Sequence, residues 1–188
     1  TGIPIKNPKI PIKEVPKMLE LVTHIICDGS INRNGIPSYI NSNKNLINNF
    51  QNTLKEIFGE VKGKLYSINK NDKLYYEYRF PKIIIELLVH FYGTPLYRIK
   101  DFPSVLLELP REFAISVIRA FADDEGSVDL NRRICFSSKN KNLLEILIKL
   151  LKEKLGFEAI SNIRLKDKSY YYFNIKAGDI NKYQREIG

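Results

Sequence analysis

The chain has 188 residues and a formal net charge of +9, long enough for one substantial domain or two small halves, with its basic residues dispersed rather than gathered in a tail. A dispersed positive charge makes nucleic acid the leading partner and an anionic membrane surface the weaker one. The longest apolar stretch, 83–92, contains Glu86 and His90 and falls short of the ~20 residues that span a bilayer, and the opening TGIPIKNPKIPIKEVP lacks a signal-peptide layout, so no membrane span and a cytoplasmic, intracellular location are expected.

In chain order, residues 1–15 read as an extension. Pro16 can open a helix, and Met18, Leu21, Val22, Ile25 and Ile26 follow at helical spacing until Asp28-Gly29 stops it. An extended segment is predicted near 38–40, then a helix over 43–58 closed by Gly59. Two extended segments, 61–68 and 75–80, flank a polar turn at 69–72 and precede a third helix over 81–92. Gly93-Thr94-Pro95 through residue 109 is a linker. Pro110 opens the next helix, with Phe113, Ala114, Val117, Ile118 and Phe121 on its apolar face and Gly126 at its end, where a left-handed glycine is expected. Extended residues 133–137, a helix over 140–155, Gly156, extended segments 158–165 and 170–176 around a turn at 166–168, and a helix from Gly178 complete the chain.

The second half repeats the first. At a constant offset of 97 residues the identities include Gly29/Gly126, Ser30/Ser127, Asn34/Asn131, Asn43/Asn140, Lys44/Lys141, Asn45/Asn142, Leu46/Leu143, Leu54/Leu151, Lys55/Lys152, Glu56/Glu153, Gly59/Gly156 and Tyr75/Tyr172. An internal duplication follows: a first repeat over 16–92, a linker over 93–109 and a second repeat over 110–188. Each repeat is α-β-β-α-β-β-α, an antiparallel sheet with helices on one side, so the fold class is α+β with a pseudo-twofold axis. Cys27 and Cys135 fall at unrelated repeat positions, form no metal-type cluster, and are expected to be buried thiols.

Each repeat places an acid, Asp28 or Glu125, at a helix C-terminus, where carbonyls point outward and a carboxylate is disfavoured. If the two ends meet, the acids also repel one another. Divalent cations, Mg²⁺ or Mn²⁺, resolve both problems, because carboxylates and main-chain carbonyls such as those of Gly29 and Gly126 are hard oxygen donors. Paired acids beside a phosphodiester then read as a two-metal hydrolytic site. Asp123 and Asp124 point to other helix faces and are expected to be solvated. Lys139, at the equivalent of Ser42, is a candidate for stabilising developing negative charge in one half only. His24 and His90 read as packing residues.

Residues 21–29 and 118–126 resemble the nine-residue motif of the LAGLIDADG homing endonucleases, which ends in an acid followed by glycine. The second copy has Ala120 at the small position, Asp123 at the first acid and Glu125 at the second; the first has Thr23 at the small position, a bulky His24 after it, Ile26 in place of the first acid and Asp28 as the second. FSSKNKNLLEILIKLLKEKLGFEA and the closing INKYQREIG are also similar to that family. The resemblance covers about residues 15–188 and implies a monomer with two motif helices packed as a central pair, two sheets forming a DNA-binding saddle, and metal-dependent cleavage of a double-stranded DNA target to a staggered break. Intron RNA is a second candidate partner, with a non-cleaving maturase or DNA-binding regulator, or a degenerate domain, as the alternative.

Period-two alternation splits the last strand of each repeat into a core face (Leu74, Tyr76, Tyr78, Phe80; Tyr171, Phe173, Ile175) and an open one (Tyr75, Glu77, Arg79; Tyr172, Asn174, Lys176). An antiparallel ribbon fits the major groove, so the open residues, together with Ser38, Ser137, Asn162, Arg164 and Lys166, are candidate base readers. Arg33, Arg132 and Arg133, in the loops after the acid-glycine pairs, are candidate phosphate holders.

Overall fold

The computed structural model describes residues 4–9, 15–92, 108, 110–129, 133–165 and 169–188. They fall into two compact units, Thr1–Ile99 and Lys100–Gly188. The linker at 93–109 lies outside the described residues apart from position 108.

In the first unit, α1 (Pro16–Asp28) starts with proline in its first turn, and every residue from Leu21 to Cys27 is buried. Thr23 has no exposure, and its hydroxyl donates to Leu19 O at 2.7 Å, which satisfies a polar group inside an apolar environment. The strands β2 (Gly29–Ile31), β3 (Pro37–Asn41), β5 (Lys64–Lys70) and β6 (Lys73–Arg79) form an antiparallel sheet ordered β2-β3-β6-β5. The tight turn between β5 and β6 uses Asn71 and Asp72 with φ of 50° and 57°, the left-handed pair that a two-residue hairpin needs. Helix α2 (Lys44–Phe58), capped by the Asn43 side chain, lays Phe50 on Tyr39 at 4.4 Å and near Phe80 at 5.5 Å between ring centroids. Helix α3 (Lys82–Tyr92) follows β6. Part of the predicted extension is structural: β1 (Ile5–Lys6) pairs with β4 (Glu60–Val61) just beyond α2.

The second unit repeats this order with α4 (Arg111–Glu125), β7 (Gly126–Val128), β8 (Ile134–Ser138), α5 (Lys141–Lys149), β9 (Arg164–Leu165), β10 (Tyr171–Ile175) and α6 (Ala177–Glu186), and its sheet runs β7-β8-β10-β9. Helix α5 passes into a π-helical segment, Leu150–Lys154, where Leu150 and Leu151 are both fully buried. Phe136 stacks on Phe173 at 5.1 Å, with Phe121 at 6.0 Å. Helix α6 is tied to α4 by Arg119 Nε donating to Ile187 O at 2.7 Å and by Arg111 with Glu186 at 2.7 Å.

Three expectations are corrected. The last strands do not keep the 97-residue offset: Tyr78 pairs with Tyr39, and Phe173 with Phe136, so residues of β10 correspond to those 95 earlier, and Tyr172 matches Glu77 rather than Tyr75. A two-residue shift preserves the face of every side chain, because the strand period is two. Leu74, assigned to the core, is 45% exposed, since it lies opposite Asn69 beside the β5-β6 turn, where the surrounding residues are exposed too. Cys27 is buried, but Cys135 is only half-buried, on the open side of its sheet opposite Asn174.

A further correction concerns the acid-glycine corners. Gly29 (φ −77°, ψ 150°) and Gly126 (φ −84°, ψ 152°) are extended, not left-handed. Glycine is required there for space: a Cβ would overlap the carbonyl of Ile25 at one corner and of Ala122 at the other. The helix therefore turns straight into the strand with no loop, and the acid is its last residue. Gly29→Ala or Gly126→Ala is expected to lower unfolding free energy by about 1–3 kcal/mol, measured by denaturant titration. Gly178→Ala, whose Cβ would meet only Ala159 Cβ at 3.5 Å in the first turn of α6, should leave stability unchanged or raise it by up to ~0.5 kcal/mol.

Candidate active site and nucleic-acid interface

Asp28 and Glu125, the final residues of α1 and α4, are half-buried. Asn41, at the end of β3, donates from Nδ2 to Asp28 Oδ2 at 2.9 Å and accepts the Asn43 backbone N–H on Oδ1 at 2.8 Å. The same amide lies 3.4 Å from Tyr39 Oη, and the Tyr39 ring meets His24 edge-on at 5.4 Å. His24 is 4% exposed, the packing role expected of it. The residues 97 later are Phe121, Phe136 and Ser138, and Ser138 Oγ accepts the analogous turn contact from Asn140 N–H at 3.1 Å. One half thus sets a carboxamide against its acid, and the other has a serine at the equivalent position.

Carboxylates and glycine carbonyls are hard donors of the kind a Mg²⁺ or Mn²⁺ ion takes. Among the described residues no three His, Cys, Asp or Glu side chains gather into a ligand cluster. Asp123 is exposed and acts elsewhere: burial first, and then the Asp123 charge, push the Tyr183 hydroxyl up from its ordinary pKa. Lys139 is exposed just past β8, with Nζ 5.1 Å from the Tyr170 ring centroid, and Ser42 is exposed just past β3.

The open face of the first sheet holds Ser38, Arg79 and Lys64 in one row, Ile40, Glu77 and Tyr66 in the next, and Tyr75 with Ile68 in a third. Ser38 is 2% exposed, its hydroxyl 2.9 Å from that of Ser30. Glu77 is 6% exposed although it belongs to this face. Arg79 covers it, donating from Nε and Nη2 to the two carboxylate oxygens at 2.9 and 3.0 Å, with its guanidinium carbon 4.4 Å from the Tyr66 ring centroid. Those hydrogen bonds hold the guanidinium above its ordinary pKa.

On the second sheet, Ser137, Tyr172 and Arg164 form one row and Ser127, Cys135 and Asn174 the next. With Asp129, Arg133 and Leu165, most of them wall a cleft of about 400 Å³. Asn174 is 9% exposed, and its Oδ1 is buried and accepts no hydrogen bond among the described residues. Asn162 is exposed before β9, and Lys176 is exposed at the start of α6, beyond the strand. Arg132 and Lys166 lie outside the described residues.

The loops that follow the corners are closed by a pair that sequence reasoning missed. Asn32 Oδ1 accepts the backbone N–H groups of Asn34 and Ile36 at 2.9 and 3.0 Å. Its equivalent Asp129 accepts the Arg133 N–H at 2.9 Å and pairs with the Arg133 guanidinium at 2.6 Å. Arg33 is exposed at the tip of the first loop. Asn41 and Tyr66 were also missed; a polar residue two before the Asn43 cap, and a tyrosine opposite Glu77 once the hairpin turn is fixed, were the available signals. Asn32→Ala and Asp129→Ala should each cost ~1 kcal/mol and accelerate hydrogen exchange at the Ile36 and Arg133 amides respectively. Unchanged exchange would mean that backbone contacts alone close these loops.

Residues 112–188 match the family model for a LAGLIDADG-like domain. No curated protein sequence matches the chain. Among solved structures it is similar to I-DmoI in complex with DNA and Mn (24% identity over 92% of this chain and 96% of that one, TM-score 0.63). It is similar also to the homing endonuclease I-WcaI bound to its DNA recognition sequence (17% identity, 95% and 82% covered, TM-score 0.64). Full-length DUF199/WhiA from Thermatoga maritima shares 16% identity over 97% of this chain and 58% of that one, with a TM-score of 0.64. At such identities the likeness is one of fold. Residues 112–188 are thus a LAGLIDADG-like domain, and the chain as a whole has the fold of the LAGLIDADG homing endonucleases.

Proposed function

We propose that the protein is a site-specific double-stranded DNA endonuclease of the homing type, hydrolysing phosphodiester bonds with Mg²⁺ or Mn²⁺. The observation that carries this reading is the acid-glycine corner built twice, each time with a carboxylate at a helix C-terminus that disfavours it. Solved structures of similar fold hold DNA with Mn, Mg or Ca. Asp28 and Glu125, with the carbonyls of Gly29 and Gly126, would hold the cations; a cation held there supplies Lewis-acid activation of a phosphodiester and neutralises developing charge. Asn41 fixes the orientation of the Asp28 carboxylate. Lys139 brings a positive charge near the phosphoryl centre in one half, where Ser42 cannot. Arg33, Arg132 and Arg133 hold phosphates, and the open sheet faces read base edges: Ser38, Tyr75 and Arg79 with Glu77 behind it, and Ser137, Asn162, Arg164, Lys166, Tyr172, Asn174 and Lys176.

A second reading, a non-cleaving maturase or regulator of the same fold, keeps both open faces and loses only the chemistry. It is favoured by Ile26, which stands in the first motif where the second has Asp123.

With Mg²⁺ and a cognate duplex, Asp28→Asn and Glu125→Gln should each abolish double-strand cleavage while DNA affinity survives; cutting by both variants contradicts the assignment. Asn41→Ser, which copies Ser138, should weaken Mg²⁺ binding about tenfold by calorimetric titration, as loss of an orienting partner does. Lys139→Met should slow one strand more than the other on an end-labelled duplex, and equal slowing removes Lys139 from the chemistry.

A further inference from the structure

Arg79 is braced on two sides. Glu77, two residues earlier on the same strand face, is 6% exposed and grips the Nε–H and one Nη2–H, while the Tyr66 ring lies against the guanidinium at 4.4 Å. A guanidinium has five N–H donors in a planar fork. Glu77 takes the edge formed by Nε and Nη2 and the Tyr66 side chain a further hydrogen bond, which leaves at most two of the five donors for a partner. The Arg79 side chain keeps 32% of its surface exposed. Strand β6 lies between β3 and β5, with Ser38 and Lys64 as the neighbours of Arg79, so the fork stands within the open face rather than in a loop at its rim.

We propose that Arg79 is a guanine-reading residue, its end-on N–H pair aimed at the O6 and N7 acceptors of one guanine in the major groove, with Glu77 and Tyr66 as positioning residues that never touch the base. Guanine alone presents two adjacent acceptors there; adenine offers N7 beside a donor, and cytosine and thymine have no such pair. A braced fork loses little conformational freedom on binding, so discrimination is retained rather than spent on ordering a long side chain. The second half lacks the device. By the observed register Asn174 stands where Arg79 does, Tyr172 where Glu77 does and Arg164 where Tyr66 does. The guanine contact therefore belongs to one half-site, with no mirror-related partner in the other.

This inference rests on the reading of the open faces as groove readers, and selection from a randomised duplex library, carried out with the full chain without Mg²⁺, separates the two. The native chain is expected to favour guanine about tenfold or more at one position of one half-site. Arg79→Lys, which keeps the charge but not the fork, and Glu77→Gln, which keeps the shape but weakens the brace, should both reduce that preference below about threefold at the same position and leave the others unchanged. Circular dichroism checks that each variant folds, and Arg79→Lys decides alone if Glu77→Gln does not. An unchanged guanine preference in Arg79→Lys overturns the inference and leaves the DNA-reading face standing. Uniform weakening of all sequences with a shallower salt dependence also overturns it, since that is the mark of a phosphate contact. A native chain that selects no sequence overturns both.

Discussion

The structure depends on the close approach of backbone to backbone at the end of each motif helix. At Gly29 and Gly126 the chain leaves the helix directly into an extended strand, so near the carbonyl four residues back that a Cβ would overlap it. With no connecting loop, the preceding acid is fixed as the last helical residue and the strand begins at once. The strands that begin there pair with β3 and β8 and lead into the loops closed by Asn32 and Asp129. A left-handed cap would have inserted a different turn and moved the acid off the sheet edge.

On this shared frame the two halves carry different chemistry. The first surrounds its corner with polar groups, His24, Tyr39 and Asn41, stacked inside an aromatic cluster; the second places Phe121, Phe136 and Ser138 there. Buried polar groups are tolerated only where they are partnered, and Asn41 is held by the Asn43 amide, the Asp28 carboxylate and Tyr39. The open faces diverge likewise: an acid-braced arginine on one sheet, and on the other a cleft where Arg133 is tied to Asp129 and a nearly buried Asn174 sits opposite Cys135. A duplicated chain of this kind is suited to an asymmetric partner.

The duplication, the helices and the facing of the strands were legible in the sequence because each rests on local periodicity or on identity at constant spacing. Register was not. The Tyr75/Tyr172 identity points to an unbroken offset, whereas pairing with β3 and β8 sets the last strands two residues apart, with Tyr78 opposite Tyr39 and Phe173 opposite Phe136. Nor could alternation reveal that Glu77 lies under Arg79, since burial on an open face comes from a neighbouring side chain rather than from the core. The conformation of Gly126 was misjudged for a related reason: glycine is needed equally for a positive φ and for lack of space, and composition does not separate the two.

The central claim is that two carboxylates held at these corners cleave DNA. The most direct measurement is to incubate the native chain and Mg²⁺ with a randomised duplex library and sequence every end produced. The account predicts double-strand ends at a restricted, non-palindromic set of sites, with a constant stagger between the two strands and none when Mg²⁺ is chelated. Recovery of bound but uncut duplexes, with no ends above the level of a protein-free control, would contradict it.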